Sequence, residues 1–241
     1  MSGHSKWSTI KRQKGANDKK RGAQFTKLAN AIVIAVRQGG GVGDPESNFK
    51  LRLAIDKARS FNMPKDNIER AISKGKGDGS GGELHEMLYE GYISGGAAVM
   101  IEAVTDNKQR TVSEVKNVLE KSGGTMGNQG SVSYLFNRIG EIFVPQHSKS
   151  ADELFELAME LESNDYSDEN GDVIFYVEPN ALYASKKLLE QKGIVVEGAE
   201  LVYKPLTTIE MDEPGTEKVL SIIEKLEDLG DVQTVSTNII L

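Results

Sequence analysis

The period of the apolar positions changes near residue 80. Before that point it is helical. In RGAQFTKLANAIVIAVRQGG, Phe25, Leu28, Ala29, Ile32 and Val36 share one helical face, and Gly39 to Gly41 stop it. DPESNFKLRLAIDKARSF predicts a second helix, with Asp44 as cap and Pro45 at the first helical position. Its Leu51, Ala54, Ile55, Ala58 and Phe61 face a core, while Lys50, Arg52, Lys57 and Arg59 lie elsewhere on its surface. MPKDNIERAISKG predicts a shorter helix, opened by Pro64 and closed by Gly75, with Ile68, Ala71 and Ile72 apolar. Three such helices make a small bundle. GKGDGSGG, residues 75–82, then places five glycines in eight residues, which predicts a flexible linker.

Beyond the linker, strands alternate with helices. EMLYEGYI and AAVMIEAVTD predict strands, and KQRTVSEVKNVLEKSGG predicts a helix. SVSYLF and EIFVPQ predict a hairpin around NRIG. ADELFELAMELE, NALYASKKLLEQKG and PGTEKVLSIIEKLEDLG predict helices; DVIFYVE, GAELVYKPL and VQTVSTNII predict strands. The expected fold class is α+β in three domains: a helical domain over 1–76, a ferredoxin-like domain made of 83–130 and 205–241, and a second ferredoxin-like domain, 131–204, inserted into it.

Composition adds little to that layout until charge is mapped along it. A hydrophobic content of 38% with 27% charged residues fits a globular chain with a modest core. No apolar run approaches the roughly 18 residues of a membrane span. The absence of cysteine excludes disulfides and Cys-based zinc sites. The basic start has no apolar secretory segment, and Lys outnumbers Arg in it, which argues against an organellar transit peptide; a cytoplasmic protein is expected. The net charge is −7, yet residues 1–76 carry eleven Lys and six Arg against six acids, for +11, and residues 77–241 carry −18. So uneven a division concerns partners rather than fold: one end is drawn to a polyanion that the other end repels.

Most candidate chemistry dissolves on inspection. Gly77, Gly79 and Gly82 match G-x-G-x-x-G, but a helix precedes them where a dinucleotide site needs a strand. The glycines ahead of Asp44 mark a helix boundary rather than a phosphate site. DENGD, 168–172, resembles a calcium loop only until Gly171 is aligned, which puts Tyr166 and Val177 at ligand positions; a hairpin turn is expected. His4, His85 and His147 are far apart and form no helical metal pair. No catalytic residue, metal ligand or cofactor site is nominated, and the chain is not expected to be an enzyme. The glycine-rich stretch 123–136, GGTMGNQGSVSYLF, reads as a hinge or crossover needing positive φ.

The first 27 residues are different. Lys6, Lys11, Arg12, Lys14, Lys19, Lys20, Arg21 and Lys27 face one acid, Asp18, on a polar stretch with little to bury before Phe25. Lys and Arg neutralise phosphates and release counterions, which drives sequence-independent affinity for nucleic acid. Trp7 serves either as a stacking surface for an unpaired base or as an anchor of the arm to the bundle. These nine residues form the candidate nucleic-acid-binding set. The ligand is DNA or ribosomal RNA, with no membrane partner. The alternative is a protein–protein adaptor acting through the acidic α+β domains.

Several long motifs, GHSKWSTIKRQKGANDKKRGAQFTKLA, NMPKDNIERAISKG, YEGY, TDN with Arg110 three residues on, and GGTMGNQGSVSYLF, resemble those of the YebC family over essentially the full length. The resemblance implies a helical N-terminal domain, two α+β domains with the third inserted in the second, and a non-enzymatic regulator of gene expression. Members are described as DNA-binding transcriptional regulators and as ribosome-associated translation factors; mitochondrial members activate translation of cytochrome c oxidase subunit I. One departure follows YEGY, where Gly95 and Gly96 stand in place of the family's usual Pro-Gly turn.

Overall fold

The computed structural model describes residues 18–77, 83–146, 149–169 and 171–240. In chain order its elements are α1 (Asp18–Gln38), α2 (Phe49–Ser60), α3 (Lys65–Lys76), β1 (His85–Tyr92), β2 (Ala98–Thr105), α4 (Lys108–Lys121), β3 (Thr125–Met126), β4 (Phe136–Val144), α5 (Ala151–Glu160), β5 (Asp165–Glu169), β6 (Asp172–Val177), α6 (Leu182–Gln191), β7 (Gly198–Pro205), α7 (Glu213–Glu227) and β8 (Val232–Thr237). Most of the expected linker, 78–82, lies outside the described residues, as do His4, His147 and Asn170.

The helical segment forms as its pattern predicts, with two shifted boundaries. α2 begins at Phe49, five residues after Asp44, and its cap is Asn48. Asn48 Oδ1 accepts from the Leu51 amide at 3.1 Å, while its Nδ2 donates to the carbonyls of Ala35 at 2.9 Å and Val42 at 3.1 Å. An amide side chain can do both; a carboxylate only accepts. Asp44 instead closes the preceding turn, accepting from the Glu46 amide and the Ser47 hydroxyl. Gly75 does not stop α3. It lies buried inside that helix, where a Cβ would sit 2.6 Å from Val36 Cβ, so the glycine permits close packing of α3 on α1; Gly77, at φ 101°, ends the helix. α1 is buried on more than one stripe: Ile32, Val33, Ile34, Ala35 and Val36 are all inside. It packs on α2 and α3 and also meets β2 and β8, and Leu84 and Val104 join its core.

The first sheet has the order β3-β1-β2-β8, antiparallel throughout. Gly95 and Gly96, at φ 82° and 80°, make the β1–β2 turn, so the unusual Gly-Gly pair still closes a hairpin. One face packs on α4 and α7: Tyr89, Val99, Ile101, Ala103 and Val235 meet Val115, Leu119, Val219, Ile222 and Leu226. Each such aliphatic side chain contributes about 1.5–3 kcal/mol by leaving water.

Arg138–Lys204 form a compact unit of their own, and the flanking described residues form the other. Within Arg138–Lys204 the strand order is β5-β6-β4-β7, reached by the succession β4-α5-β5-β6-α6-β7, which is the ferredoxin-like plan. Its core gathers Ile142, Phe175, Val173 and Val177 from the sheet with Leu154, Leu182 and Leu189 from the helices. The first sheet, β3-β1-β2-β8, is ordered differently, because there the hairpin joins the two central strands. The expected hairpin around NRIG is not formed. β4 runs unbroken through it, because Ile139, Gly140 and Ile142 are all buried and β6 pairs along Gly140 to Val144. The hairpin turn expected at DENGD does form, with Glu169 paired to Asp172.

Candidate nucleic-acid interface

Lys6, Trp7, Lys11, Arg12 and Lys14 lie outside the described residues. Lys19, Lys20 and Arg21 fall in the first turn of α1. Two turns further on, Lys27 is partly buried, and its Nζ donates to the Glu227 carbonyl at the C-terminal end of α7. Burial lowers the Lys27 pKa, and the nearby carboxylates of Glu227, Asp228 and Asp231 offset this in part. A cation at a helix C-terminus is favourable, since the last carbonyls there lack partners. Lys27 therefore ties α1 to α7, and its ammonium is committed within the chain. The basic residues of the first turn are carried by a helix that this bond anchors.

Beside Lys27, the residues of the TDN motif form a network around Asp231. Its Oδ2 accepts from Arg110 Nη2 at 2.6 Å, Thr111 Oγ1 at 2.7 Å and Thr105 Oγ1 at 3.0 Å. Arg110 also reaches Asp106 at 2.9 Å, and Asn107 caps α4 through the Arg110 amide. Burial pushes the Asp231 carboxyl up, but the three donors overcome it and hold the pKa below the usual carboxylate range. The network joins the end of β2, the start of α4 and the approach to β8. It is a structural joint.

The motifs YEGY and GGTMGNQGSVSYLF turn out to be two halves of one arrangement. Glu90 lies on the face of β1 turned away from α4 and α7 and is 2% exposed. Its carboxylate accepts from the backbone amides of Gly130 at 2.7 Å, Val132 at 2.7 Å and Ser133 at 2.9 Å. Burial pushes its pKa up, and these bonds more than reverse that, leaving it below the ordinary value. Tyr92 donates its hydroxyl to the Ser131 carbonyl at 2.9 Å. Gly124 sits where a Cβ would be 2.5 Å from the Tyr92 carbonyl, so the return to β3 passes flush against β1. The expected positive φ values are present, at Gly123 and Gly130. The stretch is the expected crossover, from α4 to β4, and a buried carboxylate holds it against β1. Sequence reasoning passed over Glu90, whose signal was an acid flanked by Tyr89 and Gly91 in the apolar second half of β1. It also passed over Tyr134, which is 66% exposed beside the pinned loop. Among the described residues no group of His, Asp or Glu could hold a metal ion, and no helix is long and apolar enough to cross a membrane.

Known proteins share this arrangement of sequence and fold. Residues 5–78 match the model of the TACO1/YebC protein N-terminal domain, and residues 84–239 that of the TACO1/YebC second and third domain. A probable transcriptional regulatory protein of Rubrobacter xylanophilus is 46% identical over 239 residues, covering 99% of this chain and 95% of the relative. One of the same name from Treponema denticola is 47% identical, covering 99% and 96%. Among solved structures, a conserved hypothetical protein of Aquifex aeolicus, Aq1575, superposes with a TM-score of 0.83 at 44% identity, over 92% of this chain and 91% of that one.

Proposed function

Since the chain belongs to the TACO1/YebC family, we propose that it is a non-enzymatic, cytoplasmic regulator of gene expression that grips nucleic acid through its basic N-terminal residues. The observation that carries this reading is the charge division, +11 before the glycine-rich linker and −18 after it. The binding set is Lys6, Trp7, Lys11, Arg12, Lys14, Lys19, Lys20 and Arg21; Lys27 contributes by anchoring α1 rather than by touching phosphate. The net −18 of residues 77–241 repels phosphates, which are held at the basic end.

Two ligands fit such an interface. A basic arm with one aromatic residue suits structured RNA, and among the described residues no helix offers an evident face of Arg, Asn and Gln for reading a duplex groove, which favours a ribosome-associated translation factor. The names of the relatives favour a DNA-binding transcriptional regulator. Co-sedimentation with ribosomes, reversed by moderate salt, is the expected result. A footprint on a defined DNA site at physiological salt, with none of the protein in ribosome pellets, would decide for transcription. In either case, replacing Lys11, Arg12 and Lys14 with Ala should flatten the dependence of log K on log salt by about 0.7–0.9 for each phosphate left without its cation. An unchanged slope would remove these residues from the interface.

A further inference from the structure

The fold places an uncommon expense on a surface loop. Glu90 is a buried carboxylate whose charge is met by three backbone amides, all from residues 130–133. Burying a charge in this way is justified energetically only by what it organises. What it organises is a short loop lying against β1, with Asn128, Gln129 and Gly130 near its tip and Tyr134 at its end. Tyr92, held through its hydroxyl to Ser131, is also on the surface, and Leu88, two positions before Glu90 on the same face of the strand, is 39% exposed.

We infer that this surface, built from Tyr92, Tyr134 and the amide side chains of Asn128 and Gln129, receives an unpaired nucleobase; the inference rests on the nucleic-acid reading above and adds a second point of attachment to it. The chemistry selects the occupant. Tyrosine rings stack on any base, and carboxamides match the donor and acceptor edges that a base exposes when unpaired. The side chains are uncharged, so the surface contributes stacking and hydrogen bonds while the arm neutralises phosphates. A protein partner would need far more apolar area than one Leu and two Tyr provide. The loop is preformed, so little ordering is lost when a base docks.

Position matters as well. Tyr92 ends β1, where it pairs with Ala98, whereas Lys27 and the Asp231 network stand at the other end, where His85 pairs with Thr105. The eight residues of β1 put the two ends roughly 24 Å apart. A ligand that reached from this surface to the basic residues carried by α1 would be a strand, not a mononucleotide.

The test is equilibrium binding of the full chain to fluorescent uridine and thymidine homopolymers of about a dozen nucleotides, and to a mixed-sequence duplex. Tyr134→Ala should weaken both single strands on the order of tenfold, leave the duplex unaffected and keep the salt slope. Tyr134→Phe, which keeps the ring, should bind like the parent. A loss with RNA alone assigns the base to RNA; a loss with both leaves the sugar unread. Unchanged single-strand affinity in Tyr134→Ala overturns the inference while the arm reading survives. Unchanged oligonucleotide affinity with loss of ribosome co-sedimentation overturns it too, in favour of a protein partner. If the parent chain binds no oligonucleotide, the nucleic-acid reading itself falls.

Discussion

At the scale of the residue, Glu90 alone holds a loop through three backbone amides. Glu90→Ala leaves three amides of a packed loop without their acceptor and should cost about 3 kcal/mol, read as a lower urea midpoint. Its pH dependence has a definite sign. The folded pKa lies below the unfolded one, so the stabilisation is complete above about pH 4.3 and fades as pH falls through the folded value. Asp231 is shifted in the same direction and adds to the same acid limb. Glu90→Gln should therefore flatten the loss of stability below that pH as well as lower stability at neutrality. Equal acid slopes in parent and variant would show that Glu90 titrates normally. The residue could be read as part of a motif in the sequence, but its role could not, because its three donors are forty or more positions away.

At the scale of the element, local pattern predicted types well and ends less well. α2 illustrates why. Asp44 followed by Pro45 is a good start signal, and Asn48 is another four residues on. The choice falls to Asn48 because it alone can also bond the end of α1, through the Ala35 carbonyl. Asn48→Asp keeps the acceptor for Leu51 and loses both donations to carbonyls, placing a charge beside them in a buried site; it should cost about 2–3 kcal/mol. Asp44→Ala, at an exposed turn, should cost under about 1 kcal/mol. Thermal melts of the two variants check the order, and a larger effect at Asp44 would restore it as the cap. The missed two-residue strand β3 and the misplaced hairpin at NRIG have the same origin: β3 is too short for any period, and β4 is buried on both faces from Ile139 to Val144, so alternation does not mark its limits.

At the scale of the molecule, the ferredoxin-like plan of Arg138–Lys204 and its place between β3 and α7 support the proposal that it is an inserted domain with its own core. Excising it and joining Asn137 to Pro205 through a short glycine linker should leave a cooperatively unfolding protein that keeps its nucleic-acid affinity. A molten product, without a sharp transition, would mean that the two sheets depend on one another for folding. The charge division supports the retained affinity, since residues 1–76, which carry the net +11, all belong to the part that remains.

By itself the sequence determined the number and type of nearly all elements and the segregation of charge, because each depends on period, on glycine and proline placement, or on simple counting. It located the nucleic-acid candidate by composition alone. Tertiary structure decided which polar residues act across the chain. Lys27, counted among eight alike cations, is withdrawn to the end of α7, and Glu90, one acid among thirty-six, becomes the clamp of a loop. Both outcomes depend on partners distant in sequence. A charged side chain carries no local mark of whether its neighbour in space is water or a backbone group, and only folding supplies that neighbour.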